Sequence, residues 1–272
     1  MSTPPDETAA SRRSWSRPPM IANPKKRWTL YIGIAAYLVW ALSSVDIDIP
    51  RLIEGLDRAR DFFAAALTPD FLTRSHDIWR GFLESLTMTV VSTAIGIALS
   101  IPLGLGAASN LASRPVYLTC RAVLAVTRAF HAIILAVLFV AMFGFGPFAG
   151  MVTLVVATIG FLGKLIAEDI EAIDWETVEA IEATGASWMQ KVVYGVAPQI
   201  MPRFIGLSLY RLDINFRESA IIGIVGAGGI GATLTTAFER YEFESVSAIL
   251  ILIIGTVYAF EYISGAIRKR VL

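Results

Sequence analysis

Between positions 211 and 219, inside an otherwise apolar stretch, the chain places Arg211, Asp213, Asn215, Arg217, Glu218 and Ser219. Charges in such a run are costly unless they pair or face a water-filled cavity. Asp213 and Arg217 stand four apart with the acid first, the favourable order for a pair on one helix. Two roles are open to them. One is an ion pair that fixes this helix against a neighbour or a second subunit. The other is a face lining a passage, where the Arg217 guanidinium presents a planar fork that fits an oxyanion. Arg121 and Arg128, seven apart, share a second helical face, suited either to drawing a departing anion or to reaching lipid phosphates. Lys164 and Glu168 form an i,i+4 pair in the reverse order and read as structural.

Catalytic and nucleotide chemistry fare worse. Gly226-Ala227-Gly228-Gly229-Ile230-Gly231 satisfies the GxGxxG string, but that fingerprint needs strand, turn and helix with an acid about twenty residues on. At that distance the chain reads Ile249-Leu250-Ile251-Leu252-Ile253. The glycines are therefore expected in a flexible or closely packed external turn, where backbones approach. Gly163-Lys164 is followed by Leu165 and lacks the upstream glycine of a phosphate-binding loop, so ATP hydrolysis is not expected of this chain. Cys120 is the single cysteine and His76 and His131 stand far apart, so neither a disulfide nor a metal set is expected. No cofactor is implied. With 23 basic and 23 acidic residues, no global field favours nucleic acid.

These side chains have to be held by helices in a bilayer. Of the 272 residues, 55% are hydrophobic and 17% charged, against about a quarter charged in soluble domains. The apolar residues gather in runs of about twenty, long enough to cross a hydrocarbon core of about 30 Å. Six spans are expected, at 28–45, 82–107, 116–143, 148–167, 204–225 and 246–267. The basic residues before Trp28 and the terminal Arg268-Lys269-Arg270 both read as cytoplasmic, which an even number of spans satisfies. Residues 1–27, rich in Pro, Ser and Arg, are expected to form a disordered cytosolic tail, and 28–81 a first span with an external amphipathic helix. In that helix Leu52, Ile53, Leu56, Phe63, Ala66 and Leu67 recur at helical spacing after Pro50, so it lies on the outer membrane surface or on neighbouring spans.

Residues 169–203 form the long loop inside the remaining core, 82–272. Asp174 can cap a first short helix, whose N-terminal end Glu176 and Glu179 favour. Gly185 fits the left-handed position that ends it. Ser187 with Gln190 forms a capping box that starts a second helix. Pro198 and Pro202 are expected to bound that second helix.

Here the residues carry a resemblance. Glu179-Ala180, Gly185 six positions later and Pro198 thirteen beyond that resemble the EAA motif of ABC importer permeases. The pattern departs at Ile181, Gly195 and Ala197, where the family has Ala, Ile and Leu. The external turn Phe143-Gly144-Phe145-Gly146-Pro147 and the stretch from Asn215 to Gly231 are similar to those of phosphonate-importer permeases. The resemblance implies an all-α polytopic bundle of the type I importer fold in a bacterial cytoplasmic membrane, N- and C-termini cytoplasmic. It implies a second permease copy, two ATPase subunits and an external solute-binding protein as partners. It implies ATPase coupling through Glu179, Ala180, Gly185, Ala186 and Pro198. The translocation path would run along Arg128, Asn215, Arg217, Glu218 and Ser219, which fits phosphonate or a related phosphorus oxyanion. A secondary transporter or channel built on an intramembrane Arg/Glu site is the alternative.

Overall fold

The computed structural model describes residues 23–44 and 49–271, and among them every regular element is helical. The tail expected over 1–27 lies largely outside the described residues. The chain divides between Arg58 and Ala59 into two compact units. In the first, α1 (Pro24–Ser43) opens on Asn23, whose side chain accepts from Lys25 N, with Pro24 at the first helical position. Lys25, Lys26 and Arg27 fill its first turn. The apolar part, 28–43, is about 24 Å long at 1.5 Å per residue, short of the core thickness.

Helix α2 (Ile49–Ala66) forms where the amphipathic pattern predicts it. Ile53, Leu56, Phe63 and Leu67 are all exposed. Phe62 is the ring that turns inward, stacking on Phe238 at 6.3 Å and meeting Phe243 edge-on at 5.8 Å.

The centre of the larger unit is α3 (Ser75–Gly106) against α6 (Pro147–Glu171). Besides Ile78 and Met88, the buried residues of α3 are small or hydroxyl-bearing, Gly81, Ser85, Thr89, Ser92, Thr93, Gly96, Ser100 and Gly104, and the glycines among them let α6 approach closely. A Cβ built on Gly150 would stand 2.9 Å from Met88 Sδ, one on Gly104 would stand 2.6 Å from Ile166 Cγ2, and one on Gly96 would collide with Thr158. Lipid supplies no hydrophobic drive for helix association, so close backbone approach through small residues does the packing. The buried hydroxyls donate to carbonyls one turn back, as Thr89 Oγ1 does to Ser85 O and Ser100 Oγ to Gly96 O.

The pairs 88/150, 96/158 and 104/166 keep one constant offset of 62 positions, so α3 and α6 run parallel. The chain between them must therefore return across the bundle. It does so through α4 (Arg114–Ala129) and α5 (Ala132–Phe143), which bend by 91° at their break. Phe130 is extended there, and His131 caps α5 by accepting from Ile133 N.

Helices α7 (Trp175–Ala183), α8 (Trp188–Gln190) and α9 (Ala197–Ile224) follow, then α10 (Gly229–Glu239) and α11 (Phe243–Val271). Four helices are long and apolar enough to cross a membrane, α3, α6, the run Trp188–Ile224 and α11, and the bent α4–α5 pair makes a fifth. The expected count of six is not reached, because the three basic residues of α1 shorten its apolar length. The third expected span is not straight but broken.

Candidate functional site

Halfway along the bundle, α3, α6 and α9 meet around Asn215, which is fully buried. Its Nδ2 donates to Thr93 Oγ1 at 2.7 Å and to Thr158 Oγ1 at 3.0 Å. Thr158 Oγ1 itself donates to Leu154 O and also accepts from Arg211 Nε at 3.1 Å. Arg211, 4% exposed, completes its contacts with Glu218 Oε2 at 3.0 Å and the face of Phe161 at 5.5 Å. Ser219 is fully buried and donates to Phe216 O. Asp213 and Arg217 form the expected pair, and the Arg217 side chain stays half open. Of the charges between 211 and 219, Arg217 is thus the most open, with Glu218 partly so, while Asn215 and Ser219 lie inside the packing. Arg211 belongs to this network as much as Glu218 does, the two standing seven apart on one face of α9.

Arg121 and Arg128 part company. Arg121 Nη2 holds Glu171 Oε1 at 2.8 Å and its Nε donates to Ala107 O at 2.9 Å. It staples the end of α6 to the α3–α4 turn, a correction to both roles expected of it. Those partners lie 14 and 50 positions away in sequence, out of reach of local spacing. Arg128 stays exposed, its stem laid on α6 beside Gly160.

The loop after α6 folds as its caps dictate. Asp174 accepts from Glu176 N at 3.1 Å, Gly185 takes φ +82° and its N–H donates to Glu182 O, and Gln190 Oε1 accepts from Ser187 N at 2.7 Å. Pro198 and Pro202 do not end the second helix. A π-helical turn over Lys191–Val196 shifts the hydrogen-bond register just ahead of them, Ala197 N donating to Val192 O, and the helix continues to Ile224. Three ties fix the angle between α7 and this run. Gln199 both accepts from Asp174 N at 3.1 Å and donates to Asp174 O at 3.2 Å. Lys191 Nζ holds Glu182 at 2.8 Å. Val178 and Val196 are buried together with Ile170. Glu179, Ala180, Gly185 and Pro198 are exposed on the resulting knob and Ala186 half-buried, with Trp188, Met189 and Tyr194 exposed beside them.

The glycine-rich segment after α9 sits at the opposite end. Gly226 O accepts from Gly146 N at 3.0 Å, tying it to the α5–α6 turn. Ile230 N donates to Ser85 Oγ at 2.9 Å, so α10 packs back onto α3. Helix, turn and helix take the place of a dinucleotide unit, and the turn is packed rather than flexible.

Residues 100–272 match the family described as the binding-protein-dependent transport system inner membrane component. The chain belongs to that family. Among its similar members are the phosphate-import permease protein PhnE of Mycolicibacterium smegmatis, 43% identical over 89% of this chain and 43% of that protein. The phosphite transport system permease protein PtxC of Stutzerimonas stutzeri is 34% identical over 89% of this chain and 87% of that protein. The chain thus spans less than half of the first relative and most of the second. The inward-facing methionine ABC transporter MetNI superposes with a TM-score of 0.66 at 25% identity, covering 74% of this chain and 100% of that one. The fold is that of type I importer permeases.

A Cβ on Gly195 would stand 3.3 Å from Ile181 Cδ1. Ile181 and Val178 together fill the space beside Gly195.

Proposed function

We propose that the chain is the membrane-spanning permease subunit of an ATP-driven importer for phosphonate or a related phosphorus oxyanion. The observation that carries this is the knob: two helical segments locked at a fixed angle, with a free carboxylate at Glu179 and an apolar rim of Trp188, Met189 and Tyr194. Such a surface suits a groove on a separate motor. The partners are a second permease copy, two ATPase subunits and an external solute-binding protein, and ATP hydrolysis belongs to the ATPases. The named cargoes of the relatives, phosphate and phosphite, support the cargo class, since all are phosphorus oxyanions.

The knob faces the cytosol. Counting crossings from α6 through α9 to α11 puts the C-terminus on its side, and Lys25, Lys26 and Arg27 favour the cytosol for the N-terminal end. Closure of the ATPases pushes Glu179, Ala180, Gly185, Ala186 and Pro198, and the two permease cores rock between outward and inward openings. Arg128 and Arg217 face the path, while Asn215, Glu218 and Ser219 hold the helices that present them.

Reconstitution with the ATPase and binding protein in proteoliposomes tests this. ATP-dependent uptake of labelled phosphonate is expected from the assembly, and none without the ATPase. Gly185→Val forces a β-branched side chain into a left-handed φ. It should abolish uptake while insertion persists; normal uptake by that variant would refute the coupling role.

A further inference from the structure

Along α4, α6 and α9, cations lie open on one strip. Gly160 of α6 carries the stem of Arg128, whose Cγ would stand 2.8 Å from a Cβ there. The next residue, Phe161, meets Tyr210 of α9 at 6.2 Å. Lys164, about one turn further along α6, therefore lies between α4 and α9. Its Nζ holds Glu168 Oε1 at 3.0 Å, both side chains partly open. Arg203, two turns before Tyr210 on α9, holds Asp169 at 3.0 Å and is 64% exposed. Arg217, two turns beyond Tyr210 in the other direction, holds Asp213. Among the described residues Arg128 is the one cation of the strip with neither a carboxylate nor a hydrogen-bond partner.

An open charged head costs about 2.5–3.5 kcal/mol against hydrocarbon near a bilayer centre, and the strip gathers four cations and three carboxylates, a face suited to water rather than to lipid tails. Resting on the permease function above, we infer that it is the inner track of the oxyanion, with a division of labour. Arg128 supplies the unneutralised charge and a fork for two oxygens. The Lys164–Glu168 and Arg203–Asp169 pairs offer donors without net charge, so the anion is passed on rather than held. Conduction needs this balance of entry and release.

The test uses the reconstituted complex of permease, ATPase and binding protein, with labelled methylphosphonate and phosphite as probes. Arg128→Gln should lower uptake about tenfold or more, the loss of one charged hydrogen-bonding group, and Arg128→Lys less. Arg114→Gln, elsewhere on α4, should leave uptake unchanged. Glu168→Gln unmasks Lys164, so uptake should saturate at lower cargo concentration and turn over several-fold more slowly. Arg128→Gln and Arg128→Lys both within twofold of the unmodified complex would overturn the role of Arg128. Unchanged saturation and turnover in Glu168→Gln would overturn the release role of the pair. Failure of the unmodified complex to take up either probe would instead strike at the cargo assignment itself.

Discussion

Asn215 gives both amide protons to threonine hydroxyls on two other helices, and Arg211 joins one of those threonines from the same helix. In a bundle packed through small residues, this is the polar lock at the level where three spans meet. Asn215→Leu removes both donors and adds volume, so it should destabilise the purified protein by about 1–3 kcal/mol. Thermal unfolding in detergent checks this, and an unchanged midpoint would show the lock to be idle. The charges of this segment were legible in the sequence as a group needing partners. Which of them pair was legible only for Asp213 and Arg217, whose spacing is local. Arg121 with Glu171 depends on how α4 folds back along α6, and no local pattern encodes that return.

Helix ends proved more readable than helix continuity. The caps at Asp174, Gly185 and Ser187 act within one turn, and each forms as its residue types dictate. Pro198 misleads because the π-turn ahead of it absorbs the missing donor, and such a turn leaves no mark in an i,i+4 pattern. The break at Phe130 and His131 carries neither Gly nor Pro, which hid the bend between α4 and α5. The close approach of Ile181 to Gly195 yields a prediction for the knob. Gly195→Ile alone should overpack it at a cost of about 1–3 kcal/mol. Adding Ile181→Ala should restore most of that, with a coupling of about 1 kcal/mol in the double-mutant cycle. Additive effects would show that the two side chains do not share space.

For the molecule as a whole, the parallel course of α3 and α6 sets the order of crossings. A single crossing separates the turn at Phe145 from the knob at Met189, and two more bring the chain back to the knob side at Lys269. In a Cys120→Ser background, an impermeant thiol reagent should label Phe145→Cys on intact cells, but Met189→Cys and Lys269→Cys only after permeabilisation. Labelling of positions 145 and 189 from the same side would overturn the crossing order. The constant offset between the two helices has a mechanical outcome as well. Each missing side chain on one is filled by the other at regular intervals, so a slip of a single turn would drive Thr158 and Ile166 into occupied positions. The pair can tilt but has no gear in which to slide, so a load applied at the knob end is passed along it to the far rim.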